Sequence, residues 1–400
     1  MNLFNAIAAA FALLSVALLF WQWLAAWRFP LHRRATDLSF APPITLLKPL
    51  KGCDETTADS LRSWFNQNYS GPVQVLFGVA DASNPVCEMA RELIGNNPGR
   101  DVQLVICAES LGTNAKISTL IQLERYAQYE LLLISDADVR VPPDFLANLV
   151  APFASTLAPS DEERVTEGPV RGEMGLVNCF YRLANPATLA MRWEAVAINA
   201  DFWSQVLQAA SLKPLDFALG AAILVRRKAL TQAGDFSSLA NCLADDYQLG
   251  HRIAQKGHRL ALCPIVAECW DAPMNWRDVW QHQLRWARTI CVCRPLSYFF
   301  SILANATFWP LLWLVVSLTP PATLCPLLAA VACLLIRIFL AQNLQRRFTP
   351  ERKLVSPFWL VPVKDLLQVA LWLGAFAGNT VEWRGQRMKL RADGMLVTGK

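Results

Sequence analysis

The feature that most constrains this chain is a set of long segments that contain no charged side chain. Residues Met1 to Trp27 are uncharged, and Arg28, Arg33 and Arg34 follow them. Such a run is long enough to cross a bilayer as one helix. A cleaved signal peptide has its positive residues before the apolar run, so residues 1–27 are better interpreted as an uncleaved anchor. Because positive residues favour the cytoplasmic side, the chain after Arg28 is expected in the cytoplasm.

A second uncharged stretch, Pro295 to Ile336, is divided by Thr319-Pro320-Pro321. It predicts two membrane helices within residues 295–341, followed by a basic cytoplasmic segment, RRFTPERK. In residues 354–381 the apolar pattern is interrupted by Lys364 and Asp365, which favours an interfacial or re-entrant segment. Residues 382–400 are predicted to form a basic cytoplasmic tail.

The stretch between these membrane segments, residues 43–294, has ordinary polarity and is the candidate catalytic domain. Over the whole chain only 17% of residues are charged and 54% are hydrophobic, against about 25% charged in an average soluble domain. This composition excludes a disordered, collagen-like or ordinary soluble protein. Eleven scattered Cys and only four His argue against a structural zinc site and for a reducing compartment. The charge-rich stretch Ser155 to Gly172 is interpreted as a surface insertion.

Short apolar runs alternate with helical patterns in the first half of this domain. The pattern predicts strands at Ile44–Lys48, Val73–Asp81, Val102–Cys107 and Glu130–Asp138, and helices from about Thr56, at Val86–Ile94 and at Lys116–Tyr126. Such alternation is typical of an α/β fold with a mostly parallel sheet and helices on both faces. Ligands bind such sheets at the carboxyl ends of the strands.

Carboxylates follow two of the predicted strands. Asp81 ends one strand, and Asp136 and Asp138 end another in the sequence SDAD. Two residues apart on extended backbone, Asp136 and Asp138 are expected to point to one side. Crowded carboxylates require a cation, and Mg²⁺ or Mn²⁺ is suited because it also binds phosphates. The alternative is a solvated turn.

A second acidic pair, Asp245 and Asp246, lies just before the helical pattern QLGHRIAQKG. Acidic residues at the start of a helix are common because they interact with its free N–H groups. The functional alternative is a general base held in a polar cleft.

A third group lies in the segment Trp276 to Thr289. On a helix His282, Arg285 and Trp286 occupy one face. Arg285 is suited to a diphosphate, and Trp286 to a sugar or a lipid. The alternative is an interfacial helix anchored by its tryptophans. The sequence contains no phosphate-binding P-loop, no nucleophile elbow and no nucleic-acid module, so NTPase, hydrolase and nucleic-acid-binding classes lose support.

These motifs, in this order, resemble those of family-two glycosyltransferases, specifically the ceramide glucosyltransferase group. The resemblance covers residues 43–294 and the flanking membrane segments, and it rests on KPLKG from Lys48, then Asp81, SDAD, ADDY and the Arg-Trp pair. It implies the A-type glycosyltransferase fold, which is Rossmann-like, with flanking transmembrane helices. It also implies an enzyme that transfers a hexose from a UDP-sugar.

The resemblance implies a role for each candidate residue. For the donor, Asp81 would contact the uridine, Lys116 would lie near the nucleotide, and Asp138 with Asp136 would bind the metal and the diphosphate. Asp246 would be the general base, and Arg285 with Trp286 would complete the diphosphate and acceptor site. Two positions depart from the family pattern: His282 replaces the usual Gln or Arg, and Asp245 replaces a frequent Glu.

The segment HQLRWARTI and the apolar run after it resemble hopanoid-biosynthesis glycosyltransferases most closely. This resemblance implies an N-acetylglucosamine donor and a hopanoid acceptor in a bacterial-type cytoplasmic membrane, with the catalytic domain on the cytoplasmic side. The main alternative is a ceramide glucosyltransferase. Three alternatives are weaker. The Arg-Trp motif argues against a polyprenyl-phosphate sugar transferase, and the small number of membrane segments argues against a processive polysaccharide synthase. A non-catalytic scaffold would not need the acidic sites.

Overall fold

The computed structural model describes residues 3–154, 172–318, 324–383, 386–391 and 393–398. The chain divides into two compact units. The sheet unit comprises Pro30–Ala184 and Pro214–Ala272, and the helical unit comprises Met1–Phe29, Asn185–Lys213 and Pro273–Lys400. The surface insertion predicted from Ser155, the dividing Thr319-Pro320-Pro321 and Arg384 of the tail lie outside the described residues.

Helices and strands follow one another along the chain as follows. The strands are β1 Ile44–Leu50, β2 Val73–Val79, β3 Asp101–Ile106, β4 Leu131–Ser135, β5 Val139–Arg140, β6 Met174–Leu183, β7 Ala222–Arg226, β8 Arg259–Cys269, β9 Thr380–Trp383, β10 Gln386–Leu390 and β11 Leu396–Thr398. The α-helices are α1 Leu3–Arg28, α2 Thr57–Phe65, α3 Val86–Gly95, α4 Ala115–Glu124, α5 Phe145–Ala154, α6 Leu189–Val196, α7 Trp203–Ala210, α8 Arg227–Gln232, α9 Asp245–Gln255, α10 Trp276–Cys293, α11 Pro295–Phe300, α12 Phe308–Ser317, α13 Leu324–Phe348 and α14 Leu360–Phe376.

The sheet unit is built on one large sheet, in which the described residues form eight strands in the order β3-β2-β1-β4-β7-β6-β8-β5. The strands from β3 to β4 are parallel, as the sequence predicts. Beyond β4 the sheet changes character, because β7 is antiparallel to both β4 and β6. β6 and β8 are again parallel, whereas β8 and β5 are antiparallel. The sheet is therefore mixed, and the predicted parallel pairing holds for the strands from β3 to β4 and for β6 with β8.

Burial explains why the central strands are so apolar. Every residue of β1 and β4 is buried, whereas residues of the edge strand β3 are exposed or partly exposed. A parallel strand covered on both faces has no solvent side, so its sequence is a continuous apolar run. Lys48 interrupts that run in β1, and it lies near the same edge of the sheet as Asp81 and Asp136.

The helical unit contains two helices, among the described residues, that are long and apolar enough to cross a membrane: α1 and α13. Small side chains of α1, among them Ala8 and Ala12, pack with Trp313 of α12 and Ala330 of α13. The segments Pro295–Ala304 and Phe308–Ser317 are bent by 46° at the break between them. If the bent pair is one span, the described part of the chain has three candidate spans.

The carboxyl-terminal part of the helical unit contains one helix and a small sheet. α14 lies within the segment predicted to be interfacial or re-entrant, and β9, β10 and β11 form an antiparallel sheet. The sequence analysis gave residues 382–400 as a basic tail and did not predict these strands. Met388 and Leu390 are buried on one face of β10, while Arg387 and Lys389, which alternate with them, are exposed.

Candidate active site

The acidic segment after β4 forms a tight turn. The backbone N–H of Val139 donates to the carbonyl of Asp136 at 3.3 Å, and that of Trp270 donates to the carbonyl of Asp138 at 3.1 Å. The expectation of extended backbone at Asp136 and Asp138 is therefore wrong. In this turn burial raises the pKa of Asp138, and the nearby charge of Asp136 raises it further.

Lys116 joins the two acidic segments that the sequence analysis identified. Its Nζ lies 2.8 Å from Asp136 Oδ1 and 3.4 Å from Asp245 Oδ2. Burial lowers the pKa of Lys116, but Asp136 and Asp245 outweigh this effect and raise it, so the ammonium is charged. The lysine is buried, and the structure brings the end of β4 and the start of α9 together around its charge.

The start of α4 is fixed by Asn114, which the sequence analysis did not single out. Its side chain caps the helix by accepting a hydrogen bond from the N–H of Ile117, as N-cap residues commonly do. Its Nδ2 donates to the carbonyl of Cys242 at 2.9 Å and to Asp245 Oδ1 at 3.4 Å. One side chain thus positions Lys116 on α4 and Asp245 on α9.

Asp246 lies in the first turn of α9 and is partly buried. Burial, followed by the charge of Asp245, raises the pKa of Asp246 to about 6, against the opposing effect of Lys116. Its Oδ1 accepts a hydrogen bond from the N–H of Tyr247 at 2.8 Å. A side chain in place of Gly220 would collide with Asp246 Oδ2, so this glycine leaves room for the carboxylate.

The buried Lys48 is a second site residue for which the sequence analysis gave no role. Its Nζ donates to the carbonyl of Asp136 at 2.6 Å and to Ser135 Oγ at 3.3 Å. Burial lowers the pKa of Lys48 to about 7, although the charges of Asp138 and Asp136 oppose this effect. Burial and the charge of Asp136 likewise raise the pKa of Asp138 to about 7. A lone lysine within an apolar strand was the available sequence signal.

Asp81 lies just beyond β2 and is exposed. Its Oδ1 accepts a hydrogen bond from the N–H of Ser83 at 2.9 Å, and hydrogen bonds from this serine hold the pKa of Asp81 below its usual value. Asp81 shares the sheet unit with the acidic cluster, but its own contacts are local. The structure describes an ionised, accessible carboxylate at the edge where ligands bind such sheets.

The remaining predicted residues, His282, Arg285 and Trp286, lie on α10 in the helical unit. Asn275 and Asp278 form a capping box that fixes the start of this helix. The ring of His282 meets that of Trp286 edge-on, with centroids 4.8 Å apart. Arg285 is partly buried, and its carbonyl accepts a hydrogen bond from Thr289 Oγ1.

Comparison with known proteins places the chain in a family. The family model for glycosyl transferase family 21 matches residues 7–396. The chain belongs to glycosyl transferase family 21. The ceramide glucosyltransferase-like part of the sequence resemblance is thereby confirmed.

Individual members are only distantly similar. Ceramide glucosyltransferase 3 of Caenorhabditis elegans is 22% identical over 236 residues, which are 59% of this chain and 48% of that protein. Ceramide glucosyltransferase of Candida albicans is 30% identical over 119 residues, which are 27% of this chain and 22% of that protein. The matched region spans about half the length of these relatives, or less.

Among solved structures, mannosyltransferase PcManGT from Pyrobaculum calidifontis, in complex with GDP-Man and Mn²⁺, resembles the chain with a TM-score of 0.53. The two are 20% identical, and the match covers 94% of this chain and 98% of that one. At this identity the likeness shows the fold alone. It confirms the predicted A-type glycosyltransferase fold for this family 21 chain, with a mixed sheet.

Proposed function

We propose that this family 21 chain is a membrane-bound, inverting glycosyltransferase that transfers a hexose from a UDP-sugar to a hydroxyl group of a membrane lipid. The observation that carries the proposal is the ion cluster of Lys116, Asp136 and Asp245, with Asp246 beside it. This cluster brings two acidic motifs that are distant in sequence together around the buried ammonium group of Lys116. The family model over nearly the whole chain supports the same reaction class.

Asp246 is the proposed general base. A pKa of about 6 leaves the carboxylate ionised at neutral pH yet basic enough to accept a proton in the transition state. Asp246 takes the proton of the acceptor hydroxyl while the oxygen attacks the anomeric carbon. The bond from that carbon to the UDP oxygen breaks, and UDP leaves with the electron pair. A single displacement of this kind inverts the anomeric configuration.

The donor is proposed to bind in the sheet unit. Asp81, which is exposed at the end of β2, is assigned to the uridine. Lys116 is assigned a position near the nucleotide, where its positive charge compensates the neighbouring carboxylates. Arg285 is assigned to the diphosphate, for which a guanidinium is well suited. Trp286 is assigned to the acceptor, since an indole ring packs against a sugar or a lipid.

Asp136 and Asp138 are the residues proposed to bind a divalent cation. The described residues contain no group of three or more His, Cys, Asp or Glu side chains that could hold a metal. Mg²⁺ and Mn²⁺ are commonly bound by only one or two carboxylates together with substrate phosphates, so this pair of oxygen ligands fits. Such an ion would offset the charge that develops on the departing diphosphate.

For the substrates, we favour N-acetylglucosamine as the sugar and a hopanoid as the acceptor. The segment around His282 and the apolar run after it support this choice through their resemblance to hopanoid-biosynthesis enzymes. Ceramide with UDP-glucose is the second candidate, because the matched relatives are ceramide glucosyltransferases. Both acceptors present a hydroxyl group at a membrane surface.

The test of this function is a transfer assay on the purified full chain in lipid–detergent micelles. Radiolabelled UDP-N-acetylglucosamine and UDP-glucose are each offered with ceramide, a polyol-bearing hopanoid or diacylglycerol. We expect labelled glycolipid from UDP-N-acetylglucosamine and the hopanoid. Label on ceramide from UDP-glucose would support the second candidate, and no labelled lipid with any pair would contradict the proposed function.

Chelation tests the proposed metal pair. EDTA is expected to abolish transfer, and added Mn²⁺ or Mg²⁺ to restore it, because Asp136 and Asp138 would bind the diphosphate through the ion. Asp138→Ala should resemble chelation and should not respond to added metal. Glu109→Ala is the control, since this exposed carboxylate pairs with Arg125 at the protein surface. Full activity in EDTA would contradict the metal assignment.

A further inference from the structure

A buried carboxylate of the helical unit, that of Glu194, contacts His282, one of the two residues that depart from the family pattern. Glu194 of α6 is 1% exposed. Its Oε1 accepts hydrogen bonds from His282 Nδ1 and from Gln283 Nε2, each at 2.7 Å. The sequence analysis did not identify this residue, although a lone glutamate within the apolar stretch WEAVAINA was visible.

Fold stability does not explain why a carboxylate occupies this position. Glu194 Oε2 is buried and has no hydrogen-bond partner among the described residues. A buried carboxylate with an unpaired oxygen costs free energy, and an uncharged side chain of similar size would avoid most of that cost. Such costly groups are concentrated at functional sites, where they orient or polarise a neighbour.

The neighbour that Glu194 orients is the ring of His282. Because Oε1 accepts, Nδ1 of His282 carries a proton, and the edge-on contact with Trp286 holds the plane of the ring. The side chain of His282 is 26% exposed, and no described residue makes a hydrogen bond with its Nε2. In the neutral ring Nε2 is then a hydrogen-bond acceptor that a ligand can reach.

The position of this pair in the chain indicates which substrate it serves. His282 and Glu194 belong to the unit that contains the long apolar helices α1 and α13, whereas the acidic cluster assigned to the nucleotide belongs to the sheet unit. A lipid acceptor is carried by the membrane. A hydrogen-bond acceptor in the helical unit is therefore suited to a hydroxyl group of that lipid.

We propose that Glu194 is a positioning residue that holds His282 with Nε2 available to the hydroxyl group of the lipid acceptor. This inference rests on the proposed function, because it assumes that a lipid hydroxyl receives the sugar. The role of Glu194 resembles that of carboxylates that orient metal-binding histidines, whose loss typically costs about 10- to 100-fold.

The test compares Glu194→Gln with the unaltered chain. Glutamine keeps an oxygen that can accept from Nδ1 and from Gln283, so the fold should persist, but a neutral amide is a weaker acceptor than a carboxylate. With the lipid that the unaltered chain glycosylates, kcat/KM for that lipid should fall about 10-fold or more. The KM for the UDP-sugar and the melting temperature should change little.

A double-mutant cycle separates positioning from a general structural effect. In the His282→Gln background there is no imidazole to orient, so adding Glu194→Gln should cost almost nothing further. Gln281→Ala is the matched control, because Gln281 lies on the same helix and donates to Glu382 at 3.3 Å. This variant should keep the kcat/KM of the unaltered chain.

Two results would overturn the inference. The first is an equal cost of Glu194→Gln in both backgrounds, and the second is a loss that parallels a fall in melting temperature or a rise in the KM for the UDP-sugar. If the unaltered chain glycosylates neither ceramide nor the hopanoid, the proposed function fails and this inference fails with it. Transfer by the unaltered chain with no effect of Glu194→Gln contradicts the positioning role alone.

Discussion

At the scale of single residues, charge balance around Lys116 decides how the site behaves. This lysine is buried beside Asp136 and Asp245, and Asp246 lies next along the chain from Asp245. The two neighbours of Asp246 act on it in opposite directions, because Asp245 raises its pKa and Lys116 lowers it. Burial is the largest cause of the raised pKa of Asp246, and these two charges adjust that pKa further.

This balance predicts how the rate depends on pH. Below about pH 6 Asp246 is protonated and cannot accept a proton, so the rate should fall as the pH is lowered through that value. Asp245→Asn removes a charge that raises the pKa of Asp246, so the fall in rate at acidic pH should move to lower pH. Lys116→Met removes a charge that lowers this pKa, so in that variant the fall in rate should move to higher pH.

The measurement is kcat/KM for the lipid acceptor at saturating UDP-sugar, taken at several pH values. Circular dichroism at each pH shows whether the variants stay folded. If the pH at which the rate falls moves in the same direction in both variants, or does not move, the assignment of Asp246 as the titrating base is contradicted.

At the scale of helices and strands, a buried ion cluster joins distant parts of the helical unit. Arg337 of α13 makes paired hydrogen bonds of 2.8–3.0 Å with the carboxylate of Asp201 and of 2.7–2.8 Å with that of Asp365. Lys364 contacts both carboxylates, and all four side chains are buried. Asp201 lies in the π-helical turn Ala197–Phe202 between α6 and α7. Two positive and two negative groups compensate one another, which explains how Lys364 and Asp365 interrupt an apolar segment.

Breaking this cluster from one side should destabilise the protein. Arg337→Met leaves two buried carboxylates with only Lys364, and the loss of one partner from a buried ion pair costs about 3–5 kcal/mol. The melting temperature in detergent should fall by several degrees. Arg346→Met on the same helix is the control, because Arg346 is exposed and should change stability by less than about 0.5 kcal/mol. Equal melting temperatures for the two variants would contradict the stabilising role of the cluster.

The elements that the sequence predicts well are those determined by local pattern. β1 to β4 and α2 to α4 all appear close to their predicted positions, because buried apolar runs and helical spacing are local signals. The antiparallel pairing of β7 with β4 and β6 was not predicted, since it depends on contacts between distant segments. For β10, however, the alternating sequence QRMKL was an available signal.

The candidate site shows the same division between pattern and packing. The acidic motifs were visible because carboxylates after an apolar run are unusual. Glu194 was missed because its importance comes from its contact with His282, which lies 88 residues away in the chain. The turn at Asp136 was only the alternative prediction, because residue spacing alone does not distinguish a turn from extended backbone.

At the scale of the whole molecule, the distribution of basic residues predicts the orientation in the membrane. Arg28, Arg33, Arg34, Arg346 and Arg347 flank the long apolar helices, and such residues favour the cytoplasmic side. We therefore propose that residues 43–294 and the carboxyl-terminal region lie in the cytoplasm, where UDP-sugars are made.

Protease protection tests this topology. A protease added to sealed, right-side-out vesicles should leave residues 43–294 intact, and permeabilised vesicles should allow cleavage. The same digestion with an epitope placed after the last residue reports on the carboxyl-terminal region. Cleavage within residues 43–294 in sealed vesicles would contradict the orientation.

The central claim is that Asp246 is the base of a sugar transfer to a membrane lipid, and one substitution tests it most directly. Asp246→Asn is nearly isosteric but cannot accept the proton, so the transfer rate should fall by about 10²- to 10⁴-fold. UDP binding, measured by calorimetry on the same preparation, should stay within a few-fold of the unaltered chain, because the base contacts the acceptor. Arg285→Ala, by contrast, should lower the transfer rate and also weaken UDP binding, since it removes a charge-assisted contact with the diphosphate. Near-normal transfer by a folded Asp246→Asn variant would contradict the account.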